Sequence, residues 1–152
     1  KYHMAAFNAF GANATPISYA ELYSSLQTGV VDGAEAANTN YFEKKFYEVA
    51  PYWGQLGWTI LTAPIIMSEE KFASLPADAQ KALLEGGAKA AAWEQDYYAA
   101  VDKERLESLK AAGVTITYLD TAPFMEAAAK VHAEFLTSDD EKRILKIIQD
   151  TK

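Results

Sequence analysis

The sequence has no cysteine and only two histidines. Without cysteine there is no disulfide framework, no zinc-thiolate site and no thiol nucleophile, although both oxidising and reducing compartments permit such a chain. His3 and His132 stand far apart with no carboxylate at metal-ligand spacing, so neither a metal site nor a catalytic dyad is expected, and no cofactor. GxGxxG and P-loop motifs are missing; Gly86-Gly87 falls inside a helical pattern instead of after a strand. No apolar run approaches the roughly 18 residues of a spanning helix. No signal peptide opens the chain. Lys1 to Phe7 reads as the interior of a helix with no cap before it, so the first residue is expected to be a boundary and the missing leader uninformative.

What is present suits a globular α/β chain. Half of the 152 residues are hydrophobic and 23% are charged, which argues against disorder. A chain of this length buries about two-thirds of its unfolded surface. The net charge of −7 and pI near 4.8, with no basic stripe, exclude nucleic-acid binding and docking on anionic lipid.

Helical and extended signals alternate. Residues 1–10 read as a helix stopped by Gly11 and Asn13, and Ala14 to Ser18 as a short extended run. Ser18 and Glu21 have capping-box spacing ahead of Leu22 and Leu26, with Gly29 as the stop. Val30 to Ala36 reads as a short strand entering a loop. Asn40 and Glu43 repeat the capping spacing and open a helix to about Val49. Leu56 to Met67 reads as one or two buried strands, and Ser68 caps a brief helix ending near Leu75. The longest helix is expected from Pro76 to Ala112, about 50 Å, with a bend possible at Gly86-Gly87. A strand from Val114 to Leu119 follows. One helix then carries Phe124, Ala128, Val131 and Phe135 on a face, and a last one is capped by Ser138 and Glu141.

The stretch Leu26-Gln27-Thr28-Gly29-Val30-Val31-Asp32-Gly33-Ala34-Glu35 resembles the signature of solute-binding proteins of tripartite ATP-independent (TRAP) transporters. The similarity extends back through Gly11 to Tyr23, forward through Tyr41 to Ala50, and into Leu109-Lys110-Ala111-Ala112-Gly113-Val114. The resemblance implies an α/β, two-lobed, periplasmic-binding-protein-like clamp with a long inter-lobe helix. Residues 1–75 would supply part of the second lobe with the ligand signature, residues 76–112 the connecting helix, and residues 113–152 a strand and helices returning toward the other lobe. It further implies a periplasmic carrier that captures an organic acid, such as a sugar acid or small carboxylate, and delivers it to a TRAP membrane permease. The arginine that grips the carboxylate in this family would lie upstream of Lys1; Arg105 and Arg143 match no ligand motif and read as ion-pair partners.

By resemblance, Tyr19 packs its ring on the ligand, where a core aromatic is the plainer reading. Glu35 contacts ligand hydroxyls or, like Asp32, shapes the loop. The family often carries asparagine after that glutamate; here Ala36 and Ala37 follow, and Asn38 is the substitute. Asn40 is a helix cap. Trp58 and Thr59 fall where the family has further cleft residues, with Trp58 as core the alternative. Trp53 and Trp93 read as packing, and Tyr97 and Tyr98 as facing a cleft or an interface. Two other functions are compatible with the residues alone: an α/β enzyme using Asp32 and Glu35, and a helical interaction module without a small ligand. No nucleophile–base pair accompanies the two carboxylates, which disfavours the enzyme.

Overall fold

The computed structural model describes residues 1–60 and 62–151. Its helices are α1 (Tyr2–Ala9), α2 (Leu22–Gln27), α3 (Asn38–Glu43), α4 (Glu69–Ala73), α5 (Ala77–Ala111), α6 (Ala122–Phe135) and α7 (Asp139–Asp150). The strands are β1 (Tyr52–Gln55), between a 3-10 turn at Phe46–Glu48 and α4, and β2 (Thr115–Tyr118), between α5 and α6. Both strands pair in one ladder. The Thr115 amide donates to the Pro51 carbonyl (3.0 Å) and the Leu119 amide to that of Gln55 (3.2 Å). The partners advance together along the chain, so the strands are parallel.

Three helices end in the same way. After α1, α2 and α5 the chain turns through Gly11, Gly29 and Gly113, each at positive φ. In each case the glycine amide and the next amide bond back to two of the last carbonyls, as Gly29 to Leu26 and Val30 to Ser25 do. A residue with Cβ would be strained in that left-handed position. At the other ends, Ser68 caps α4 through the Lys71 amide, and Ser138 with Glu141 forms a complete capping box on α7. α5 runs 35 residues unbroken through Gly86 and Gly87, with Asp78 in its first turn and Lys110 in its last, each complementing the helix dipole. It starts one residue later than the sequence suggested, because Pro76 is the extended cap residue.

Several expected elements are not there. Ala14–Ser18 and Val30–Ala36 form no strand. The Glu21 amide closes a turn on the Ser18 carbonyl, so Glu21 precedes α2 and does not occupy the third helical position that a capping box needs. α3 begins two residues before Asn40, on Ala37, and ends at Glu43 because Lys45 turns to φ 57°. Leu56 to Met67 is not strand among the described residues, which omit Leu61. Ile60, Ile65 and Ile66 are exposed, since apolar character alone supplies no neighbouring strand. The ladder strand is the preceding Tyr52–Gln55, which the periodicity did not mark.

The chain divides into two compact units. The first contains Lys1–Leu22, Gly54–Trp58 and Tyr118–Lys152. In it α1 and α6 pack antiparallel, Tyr2 against Phe135 (4.7 Å between ring centres) and Phe10 against Phe124 (5.1 Å), with Ala6 and Val131 buried. The second contains Tyr23–Trp53 and Thr59–Thr117, and α3 lies along α5 there, with Tyr41, Phe46, Leu109 and Val114 buried.

Two measurements test the helix physics. A methyl added at Gly86 or Gly87 meets nothing within 4 Å. Gly86→Ala and Gly87→Ala are therefore each expected to stabilise by about 0.4–1 kcal/mol in urea unfolding; a lowered midpoint would mean the glycines are required for a bend. In α7, hydrogen bonds from the Ser138 backbone amide and hydroxyl hold the Glu141 carboxyl below its ordinary value of 4.5. A carboxyl with a lowered folded-state pKa contributes its stability above the ordinary value and loses it as pH falls through the lowered one. Helicity of α7, followed by amide exchange, is expected to weaken on that acid limb, and Ser138→Ala to cost about 1 kcal/mol at neutral pH.

Candidate functional site

The signature loop lies in the second unit. Asp32, Gly33, Ala34 and Ala36 line an open cavity of about 350 Å3 together with Tyr41 and Trp53. That volume lies within the range of small-molecule sites. The two rings stack, 4.2 Å apart and 10° from parallel. The Tyr41 hydroxyl donates to the Ala50 carbonyl, and burial pushes its pKa up to about 12.

In the same unit, α3 is joined to one face of α5. The Asn38 amide nitrogen donates to Asp102 (2.9 Å) and its oxygen accepts from the Trp53 indole (2.7 Å). The hydroxyls of Thr39 and Tyr98 share a hydrogen bond of 3.3 Å. Arg105 lies over the Phe42 ring at 5.3 Å, with its Nε 3.5 Å from Glu43 and a terminal nitrogen 2.9 Å from Glu104. Positions 98, 102 and 105 are spaced four and three apart, so a single helical stripe receives all three contacts.

The residues expected to touch ligand are placed as follows. In the second unit, Glu35 and Thr59 are exposed, while Asn38 is buried with both ends of its amide engaged. In the first unit, Tyr19 is about half exposed, beside the Ser18–Glu21 turn. Trp58 packs edge-on against His3 (5.0 Å) and Phe7 (5.2 Å), neighbours four apart on α1. The two arginines are ion-pair partners, Arg143 with Asp140 at 3.4 Å, though Arg105 is largely covered. Trp93 and Tyr97 stack on each other on an exposed part of α5. Trp53 packs, as expected, by stacking on Tyr41; Asp102 and Tyr41 were not singled out from the sequence, although the 98-102-105-109 spacing on α5 was the signal for a packed stripe.

Among the described residues, Asp32 is the acidic member of the cavity lining and no lysine, arginine or histidine is part of it. The first unit holds a second open groove of about 360 Å3, lined by His132 and Leu136 at the end of α6 and by Lys142 and Leu145 of α7. Among the described residues no group of three His, Asp or Glu side chains is placed to hold a metal ion, and no helix is long and apolar enough to cross a membrane.

The chain combines a mixed α/β fold, one very long helix, and a cavity lined by an acidic loop residue and aromatic rings. The chain belongs to the bacterial extracellular solute-binding protein family 7, whose model matches residues 1–139. That is a family of transport binding proteins, not of enzymes. A solute-binding protein of Sulfitobacter sp. strain NAS-14.1 is 38% identical over 107 residues, covering 70% of this chain and 32% of that protein. The C4-dicarboxylate-binding periplasmic protein DctP of Rhodobacter capsulatus is 33% identical, covering 86% of this chain and 40% of that one. Among solved structures, a TRAP periplasmic solute-binding protein of Pseudomonas putida F1 with bound D-glucuronate matches at TM-score 0.85 and 32% identity, over 94% of this chain and 47% of that one. The chain thus spans less than half the length of each of these relatives.

Tyr41 offers a test of the lining. The folded protein holds the Tyr41 proton beyond the ordinary value of 10.0, up to about 12. Between those two values the folded state binds more protons than the unfolded one, so stability is expected to fall as pH rises. Tyr23 is also raised, by its hydrogen bond to Glu48, so ultraviolet difference titration should show late-titrating tyrosine, and Tyr41→Phe should remove the part that titrates near 12. That variant also leaves the Ala50 carbonyl without its donor and is expected to lose about 1–3 kcal/mol.

Proposed function

We propose that this chain is part of a TRAP-type solute-binding protein that captures a hydroxylated organic acid, of the sugar-acid class, in the periplasm and delivers it to a TRAP membrane permease. The observation that carries the reading is the likeness, over 94% of the chain, to the Pseudomonas putida protein holding D-glucuronate. The chemistry of the loop agrees with it. Ionised carboxylates accept hydrogen bonds from sugar hydroxyls, and aromatic faces receive the C–H side of a pyranose ring. Asp32 lines the cavity, Glu35 is exposed three residues further on, and the half-buried Trp53, stacked on the buried Tyr41, adds aromatic surface to the lining.

A carboxylate needs a cation, best a planar guanidinium that grips both oxygens. Both arginines here are engaged with acidic neighbours. The anchor therefore belongs to the remainder of the protein, in line with the short coverage of the relatives. Of the residues assigned by resemblance, Tyr19, Glu35 and Thr59 act by direct contact. Asn38 and Trp58 act by holding shape, because their polar or ring surfaces are already engaged.

Calorimetry on the protein at its full genomic length, with D-glucuronate, D-galacturonate and succinate, tests the reading. Binding of at least one uronate is expected, weakened roughly tenfold by Glu35→Gln as for loss of a charge-assisted hydrogen bond. The 152-residue chain alone is expected to bind at least a hundredfold more weakly. Binding to none of the acids at full length would overturn the function, and equal binding by the 152-residue chain would overturn the placement of the anchor.

A further inference from the structure

We infer that Asp102, on the long helix, is a positioning residue for the signature loop, acting through Asn38. An ionised carboxylate only accepts hydrogen bonds and an indole N–H only donates, whereas a primary amide does one at each end. Asn38 sits between one of each, with its nitrogen 2.9 Å from Asp102 and its oxygen 2.7 Å from the Trp53 indole. Turning the amide over would set oxygen against carboxylate and NH2 against N–H, losing both bonds in a buried place. Asp102 thereby selects one amide orientation, and that orientation presents an acceptor to Trp53.

Two consequences reach the loop. Asn38 is the first residue of α3 and Ala37 its cap, so the bond to Asp102 tethers the chain where the loop enters the helix. Trp53, held by its N–H, lies parallel on Tyr41, and both residues belong to the lining of the cavity that residues 32–34 and 36 also line. A residue on α5 thus sets both the end of the loop and an aromatic part of the same lining.

The role in ligand capture rests on the function proposed above; the effect on Trp53 does not. In the 15N-labelled protein at its full genomic length, the Trp53 indole signal is identified by its loss in Trp53→Phe, and its hydrogen-exchange rate is measured in variants. Slow exchange is expected in the wild type and in Asp102→Asn, whose amide oxygen still accepts from Asn38. Asp102→Leu and Asn38→Leu are expected to accelerate it about tenfold or more, with Asp102→Ala replacing a leucine variant that fails to fold. Wild-type rates in these variants, or loss of protection in Asp102→Asn, would overturn the proposal. So would an Asn38 side-chain amide that exchanges in the wild type as fast as an exposed one, a result that needs no variant. At full length, D-glucuronate affinity should drop about tenfold in Asp102→Leu and recover in Asp102→Asn; unchanged affinity alongside accelerated indole exchange would show that Asp102 does not position the loop for ligand. If the wild type does not bind D-glucuronate, the proposed function fails while the indole rates still decide the effect of Asp102 on Trp53.

Discussion

The buried amide of Asn38, held between an acceptor-only carboxylate and a donor-only indole, ties three separate stretches of the chain together. α3 has six residues, too few to persist as a helix without tertiary support. Its support comes from α5, through Asn38–Asp102, Thr39–Tyr98 and Glu43–Arg105. These contacts are unequal. The Glu43 side chain is more than half exposed, and such ion pairs contribute about 0–1 kcal/mol. A hydrogen bond to a charged group contributes about 1.5–3 kcal/mol, and its loss in a buried place leaves a second polar group unsatisfied. The Asn38 pairing therefore dominates the seam, and the signature loop takes its exit direction from it.

That arrangement separates two tasks that a ligand site needs. The second unit offers aromatic faces, a buried polar clamp and exposed or cavity-lining carboxylates, all suited to a neutral, hydroxylated body. On the function proposed above, recognition of an anionic head would fall to residues outside this acidic chain, whose two arginines both pair with carboxylates. The chain spans less than half the length of the relatives it matches.

Legibility in the sequence followed the range of the interaction. Gly11, Gly29 and Gly113 were readable as helix stops because the left-handed turn is a local backbone demand. The Ser68 and Ser138 caps were readable because donor and acceptor lie three residues apart. α5 was readable in extent to within one residue. The same spacing misled at Ser18–Glu21 and Asn40–Glu43, where the motif was present but the helix started elsewhere. Leu56 to Met67 misled because apolar composition was taken for burial, and a strand needs a partner that composition cannot provide. At the site, the loop from Asp32 to Glu35 was recognised from its wording, while Asp102 was not, being 64 residues from Asn38.

By itself the sequence determined the glycine stops of α1, α2 and α5, the serine caps of α4 and α7, the long uninterrupted α5, the strand after it, the acidic charge and the family. These depend on contacts within a turn or two, or on a string long enough to be specific. Only the tertiary structure decided that Asn38 is buried with its amide bonded to Asp102 and Trp53, that Trp58 packs on α1, and that Tyr52–Gln55 is the paired strand. Each of those depends on a partner remote in sequence. An amide, an indole or a four-residue strand has no fixed role until folding brings a particular donor, ring or neighbouring strand against it.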